Sequence, residues 1–148
     1  MEIVIDAKDL ILGRLASYAA KLALEGNKLY IVNCEEVVIS GDKDVILQNF
    51  LEKIHRGNPH KGPFYPKRPD RIVKRVIRGM LPRKRWRGRK ALEKIKCYLG
   101  FPEELKNKRD VKVLTKKELE KLSYEKLNIP KFVRLGEIAE MIGWRRYV

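Results

Sequence analysis

Residues 3–32, IVIDAKDLILGRLASYAAKLALEGNKLYIV, decide the fold class. They open on a short apolar run, Ile3-Val4-Ile5, that ends at Asp6 and reads as a strand. From residue 12 the period changes. Leu12, Leu15, Ala16, Ala19, Leu22 and Ala23 fall on one face at about 100° per residue, so 12–24 reads as an amphipathic helix. Gly26-Asn27 stops it. Leu29-Tyr30-Ile31-Val32 is then apolar at successive positions, the pattern of a strand buried on both faces.

The same alternation of elements continues outward. Val37-Val38-Ile39 is a further short strand, closed by Ser40-Gly41. Asp42 or Asp44 can cap a helix whose inner face is Ile46, Leu47, Phe50, Leu51 and Ile54. Strand, helix, strand, helix predicts an α/β domain with a mainly parallel sheet. Residues 57–69 break the pattern and hold four of the seven prolines. Proline lacks a backbone N–H and restrains its predecessor to extended shapes, so this segment reads as an irregular arm.

Beyond the arm, residues 71–81 form a helix with separated faces. Ile72, Val73, Val76, Ile77 and Met80 share one arc, and Arg71, Lys74, Arg75 and Arg78 share the opposite one. Pro82 ends it. A second helix is expected from Trp86 to Leu99, with Ala91, Leu92, Ile95 and Leu99 inward and Gly100-Phe101-Pro102 closing it. Val111-Lys112-Val113-Leu114 reads as the last sheet strand. Residues 116–127 read as a helix with Leu119 and Leu122 inward. Leu135, Ile138, Ala139 and Ile142 mark a short helix ended by Gly143. No internal repeat or long linker divides the chain, so residues 1–148 are expected to form one domain.

The charge is localised. The chain carries 34 Lys and Arg against 19 Asp and Glu, a formal +15. Residues 53–96 hold seventeen of those cations and two acids, Asp70 and Glu93, so this stretch carries the whole imbalance. A lysine-rich solvated face would interleave glutamate, as 103–126 does with Glu103, Glu104, Glu118, Glu120 and Glu125. Residues 53–96 do not, which points to a polyanionic partner. Arginine outnumbers lysine seven to three over 71–90, and its planar fork suits phosphate and base edges.

Aromatic side chains lie among these cations. Trp86, within Arg83-Lys84-Arg85-Trp86-Arg87, reads equally as a nucleic-acid contact and as a packing residue. Phe64 and Tyr65 read at least as well as anchors that pack the arm on the body. Gly57, Gly62, Gly79 and Gly88 either admit a phosphodiester backbone or serve ordinary turn geometry.

Other chemistry is poorly supported. The turn from Asp6 to Leu15 holds one glycine, Gly13, so it is no phosphate-cradling loop. His55 and His60 have no thiols or carboxylates beside them to complete a metal site. Cys34 and Cys97 stand 63 positions apart, neither a disulfide framework nor a zinc pattern, and read as small packing residues. Asp6 and Asp9 read as caps or turn residues. No apolar run is long enough to span a bilayer, and the first residues lack the basic and apolar regions of a secretory signal. The expectation is an intracellular protein.

The run Ile77-Arg78-Gly79-Met80-Leu81-Pro82, continuing through Arg87-Gly88-Arg89-Lys90-Ala91-Leu92 to Lys96-Cys97-Tyr98-Leu99-Gly100, resembles the hallmark segment of the large-subunit ribosomal protein L-thirteen family. Ile5-Asp6-Ala7, Leu12-Gly13-Arg14-Leu15-Ala16-Ser17, Val32-Asn33 and Val38-Ile39-Ser40-Gly41 extend the likeness over about 3–102. Residues 103–148 match in general character, and the arm resembles the archaeal type. The resemblance implies a three-layer α/β/α fold around a mainly parallel sheet of about four strands, with the basic arm and helices inserted. It implies a structural, non-enzymatic constituent of the large ribosomal subunit in the cytoplasm, supporting subunit assembly. The expected partners are large-subunit rRNA and neighbouring ribosomal proteins, with no membrane, small-molecule substrate, cofactor or metal.

The rRNA-binding residues expected on this reading are Arg56, His60, Lys61, Lys67, Arg68, Arg71, Lys74, Arg75, Arg78, Arg83, Lys84, Arg85, Trp86, Arg87, Arg89 and Lys90. The rival readings are a free-standing RNA-binding regulator and a small nucleic-acid-modifying enzyme on an α/β scaffold. The first would show a recognition motif, and the second a phosphate loop or an acid–histidine cluster in the basic face.

Overall fold

The computed structural model describes residues 1–114, 116–125 and 128–145. Its centre is a sheet of four parallel strands in the order β4-β2-β1-β5. They are β1 (Glu2–Asp6), β2 (Lys28–Val32), β4 (Ile95–Cys97) and β5 (Val111–Val113). Between β1 and β2 runs α1 (Leu12–Leu24), as the period over 12–24 predicts. Gly26 takes φ +100° at its end, a conformation that favours glycine. Pairing is in register from Glu2 opposite Lys28 to Asp6 opposite Val32.

The sheet is buried on both faces, so its middle strands read as continuous apolar runs. Ile3, Ile5, Leu29, Ile31 and Ile95 join the main cluster with α1. Val4, Tyr30 and Val32 face a smaller cluster closed by Leu105 of the one-turn helix α5 (Glu103–Lys106). The three layers are therefore unequal: a thick helical layer, the sheet and a thin cover. The thick layer contains α3 (Pro69–Gly79) and α4 (Trp86–Glu93), both packed on α1.

The strand at Val37–Ile39 exists as β3 (Val38–Ser40), but it lies outside the parallel sheet. It pairs antiparallel with β6 (Phe132–Arg134), a strand absent from the sequence reading. Only five residues separate β2 from β3, far fewer than the dozen or so needed for a parallel crossover. Asn33 takes a left-handed φ of 57°, and a 3-10 turn, Cys34–Glu36, redirects the chain. Next comes α2 (Lys43–His55), where the Asp42 carboxylate caps by accepting from the Asp44 N–H at 3.2 Å. Its buried residues are Ile46 and Phe50, while Leu47, Leu51 and Ile54 are half-buried at the core's edge.

The helix expected from Trp86 to Leu99 ends at Glu93. Ile95, taken as its inward face, instead opens β4 opposite Leu29 and is fully buried. The Leu29 N–H donates to the Lys94 carbonyl at 2.9 Å. The open edge of β2 needs such partners, and this pairing satisfies it where another helical turn would not. Gly100 accordingly closes a loop after a strand. Its N–H donates to the Glu35 carboxylate at 3.1 Å.

The described part of the 116–127 segment is α6 (Lys116–Leu119) and a 3-10 turn, Glu120–Leu122, with Leu119 and Leu122 buried as expected. Residues 126–127 of that expected helix lie outside the described residues. The final helix is α7 (Leu135–Met141), which contacts α2 and the 3-10 turn Cys34–Glu36. Among the described residues, no helix is long and apolar enough to cross a membrane.

Candidate nucleic-acid interface

The amphipathic pattern of α3 fixes which way its cations face. Ile72, Val73 and Ile77 are fully buried. Burying each stabilises the docked helix by roughly 1.5–3 kcal/mol. Arg71 is left exposed, with Lys74, Arg75 and Arg78 half-exposed. Met80, placed by period in the apolar arc, lies just beyond the helix and is 45% exposed. The helix has already ended at Gly79, so the 100° rule no longer governs it.

The turn from Leu81 to Arg85 is held by its own backbone. The Arg83 N–H donates to the Leu81 carbonyl at 2.8 Å, and the Arg85 N–H to the Pro82 carbonyl at 2.9 Å. Arg89 braces it from α4. Its Nε donates to the Arg83 carbonyl at 3.0 Å and its Nη2 to the Lys84 carbonyl at 3.4 Å. Gly88 admits this arrangement, because a Cβ there would stand 2.1 Å from the Pro82 oxygen. The tight contact at Gly88 is thus with the chain's own turn. Gly57 is similar: its Cβ would meet the Gly62 oxygen at 2.1 Å, and its φ is +89°.

This braced turn carries Arg83, Lys84, Arg85 and Arg87 outward, all exposed. Among the described residues none of the four has an acidic partner. Trp86 stands among them, 72% exposed, with the Lys90 ammonium 5.7 Å from its ring centroid. The packing reading of Trp86 therefore fails, since no core covers it. α4 begins here without a side-chain cap or an acid in its first turn, so its partial positive end adds to the cations.

The arm divides its two aromatics. Tyr65 packs edge-on to Phe50, with centroids 6.1 Å apart, and lies under the Arg75 guanidinium at 5.8 Å. Burial pushes its phenol above the ordinary range. Phe64, next to it, is 68% exposed and points the arm's apolar surface outward. Arg56, His60, Lys61, Lys67 and Arg68 lie along this arm, and of these Lys67 is exposed with the others.

Not every expected contact residue is equally available. Arg89 is committed to two carbonyls, Arg68 pairs with Asp70 at 3.2 Å, Lys90 with Glu93 at 3.6 Å, and Arg75 covers Tyr65. Phe64, absent from the expected contact residues, joins the exposed surface. Its position beside Pro63 and Pro66 in a cationic arm is the signal that would have included it.

The carboxyl ends of β1 and β5 offer a different environment. There, where ligands of open α/β sheets bind, a cavity of about 460 Å³ is lined by Asp6, Asp9, Glu120 and Glu125, with one cation, Lys8. Asp6 accepts from the Lys8 N–H at 3.0 Å and from Asn33 Nδ2 at 2.9 Å. Asp9 pairs with Arg134. Both acids are turn residues, as expected, and carboxylates here repel a nucleotide phosphate. Among the described residues, no group of three or more His, Cys, Asp or Glu side chains is placed to hold a metal ion.

The chain is similar to known proteins over most of its length. The family model described as Ribosomal protein L13 matches residues 1–104. A "Large ribosomal subunit protein uL13" of Methanosarcina barkeri is 48% identical over 141 residues, 95% of this chain and 96% of its own length. The protein of the same name in Haloarcula marismortui is 46% identical over 96% of this chain and 91% of its own. That of Methanopyrus kandleri is 41% identical, over 96% and 87%.

Proposed function

The chain belongs to the ribosomal protein L13 family, and from that premise we propose that it is a structural constituent of the large ribosomal subunit that grips rRNA through residues 53–96. The observation that carries the reading is the braced turn Arg83–Arg87, whose four cations lack acidic partners among the described residues and surround an exposed indole. Cations of this kind neutralise phosphates and release counterions. An exposed ring beside them offers a face for an unpaired base.

On this reading the α/β body is a scaffold and 1–148 act as one domain. The outer face of α3, the turn and the arm then form one grip. Arg83, Lys84, Arg85, Arg87 and Arg71 meet phosphates directly, and Arg56, His60, Lys61 and Lys67 do so along the arm. Lys74, Arg78, Arg68, Arg75 and Lys90 add field at closer range to the body. Arg89 serves by holding the turn in shape, and Trp86 by stacking. The protein works on the ribosome in the cytoplasm, supports subunit assembly and has neighbouring large-subunit proteins as its other partners. No catalytic step is assigned to it.

The test is sedimentation of cell extract on a sucrose gradient, probing for this chain. Comigration with the large subunit through a moderate-salt wash is expected, and a free pool at the top of the gradient would overturn the assignment. Filter binding of the purified protein to large-subunit rRNA should weaken steeply as salt rises. A flat dependence would remove the phosphate contacts from the account.

A further inference from the structure

The fold brings together two thiols that lie 63 positions apart in sequence. Cys34 opens the 3-10 turn after β2, and Cys97 closes β4, opposite Ile31 in the parallel register. The Ile31 carbonyl accepts from the Tyr98 N–H at 2.8 Å and from the Cys34 thiol at 3.6 Å. The Cys34 N–H in turn donates to the Tyr98 carbonyl at 3.2 Å. The turn thus folds back on the strand end that carries Cys97 and sets Cys34 against the residue that follows it. α3 packs over both the turn and β4, so the pair lies beneath the cationic helix.

Their access to solvent differs. Cys34 is fully buried. The contact with Cys97, and then burial, push its thiol well above the ordinary range. Cys97 is half-exposed and lines an open concavity of about 240 Å³ with Asp70, Arg71, Lys74, Lys96 and Tyr98. A small oxidant entering there meets one thiol and is kept from the other.

We propose that Cys34 and Cys97 form a redox-convertible pair, with Cys97 the site of attack by a peroxide and Cys34 the thiol that closes an intramolecular disulfide. In the first step the Cys97 sulfur attacks the peroxide O–O bond. A sulfur–oxygen bond forms, the O–O bond breaks, and the departing oxygen leaves as water with the thiol's proton. In the second step the Cys34 sulfur attacks the sulfenic sulfur. The S–S bond forms, the S–O bond breaks, and the hydroxyl leaves as water with the Cys34 proton. Two thiols lose two electrons, and one peroxide is reduced to two waters. A disulfide joins Cα atoms roughly 4.4–6.8 Å apart, and the 3.2 Å bond from the Cys34 N–H to the Tyr98 carbonyl sets the turn's backbone against the strand end that carries Cys97. The product ties the Cys34–Glu36 turn to β4 under α3. This inference stands apart from the rRNA reading.

Treating the full-length protein with hydrogen peroxide, then denaturing it, alkylating it with iodoacetamide and weighing it, tests the proposal. The expected product is a monomer that has lost two hydrogen atoms, resists alkylation at both cysteines and recovers both thiols with dithiothreitol. In Cys34→Ala, Cys97 should accumulate sulfenic and then sulfinic acid. In Cys97→Ala, Cys34 should remain an alkylatable thiol. Melting curves of both variants confirm that each is folded, and the wild-type measurement stands without them. Two alkylatable thiols in the treated wild type, a disulfide formed only between chains, or unchanged oxidation of Cys34 in folded Cys97→Ala would each overturn the proposal.

Discussion

Two regions of this protein are rich in lysine and arginine, and they use charge in opposite ways. In residues 103–125 four of the described cations find partners within the chain. Lys108 lies 2.8 Å from Glu2 and donates to the Tyr30 hydroxyl at 3.1 Å, Lys112 pairs with Glu118 at 3.9 Å, and Lys106 and Lys121 sit over Phe101 and Tyr18. In residues 83–87 the cations have no such partners among the described residues, and the aromatic beside them is bare. Their lysine and arginine content makes the two alike; what separates them is where the neutralising charge comes from. Paired cations are complete in the isolated protein, and unpaired ones need a polyanion from outside.

Reversing charge in each region should give the largest separation. With Arg83, Lys84, Arg85 and Arg87 all changed to Glu, rRNA affinity falls by about 10³-fold, at roughly 1 kcal/mol or more per charge-assisted hydrogen bond to phosphate. The slope of log affinity against log salt shrinks by about 0.7–0.9 for each phosphate no longer neutralised. The same exchange at Lys106, Lys112 and Lys121 should leave affinity within a few-fold. Equal weakening in filter binding would break the comparison.

Gly88→Ala should come next. A methyl cannot share space with the Pro82 carbonyl, so the turn must shift, costing about 1–3 kcal/mol in a denaturant melt and weakening rRNA binding with it. Gly79→Ala, where a Cβ meets nothing within 4 Å, should leave the melt unchanged or slightly higher. The aromatics give a similar contrast. Trp86→Ala should weaken binding by about 1–3 kcal/mol with an unchanged melting temperature. Tyr65→Ala should lower the melting temperature, because it removes the packing on Phe50. Exchanged outcomes would mean that Trp86 supports the fold and Tyr65 the interface.

The smallest effect belongs to the paired region. The hydrogen bond from Lys108, followed by the charges of Lys108 and Lys28, holds the Glu2 carboxyl below its ordinary value of 4.5. A depressed carboxyl contributes its stability above the unfolded value and loses it as pH falls through the folded one. Glu2→Gln should therefore flatten the acid limb of a stability–pH curve below about 4.5 and leave rRNA affinity alone. An unchanged acid limb would show that this pair is not felt in solution.

Much of this was legible in the sequence for simple reasons. The apolar runs of β1 and β2 and the stripe of α1 are long enough for their periods to declare themselves. Ile95-Lys96-Cys97 and Phe132-Val133-Arg134 are not. Three residues show no reliable alternation, and Ile95 also continues the helical spacing from Ala91 and Leu92. Such strands exist because a neighbouring strand needs hydrogen-bond partners, which is information held elsewhere in the chain. The interface divides in the same way. Its charge could be counted, but that Arg89 is spent on two carbonyls and that Trp86 is uncovered depend on how the turn closes against Gly88.

Because β4 belongs to the basic segment and also to the sheet, the grip is tethered at both ends, by α2 before it and by a strand zipped onto β2 after it. Those anchors join residues far apart in sequence, so they form late, when most of the chain is in place. A chain without those anchors keeps its charge and its local turn but not the shape of the whole grip. An RNA that requires that shape therefore acts as an inspector of folding, admitting finished molecules and leaving unfinished ones behind.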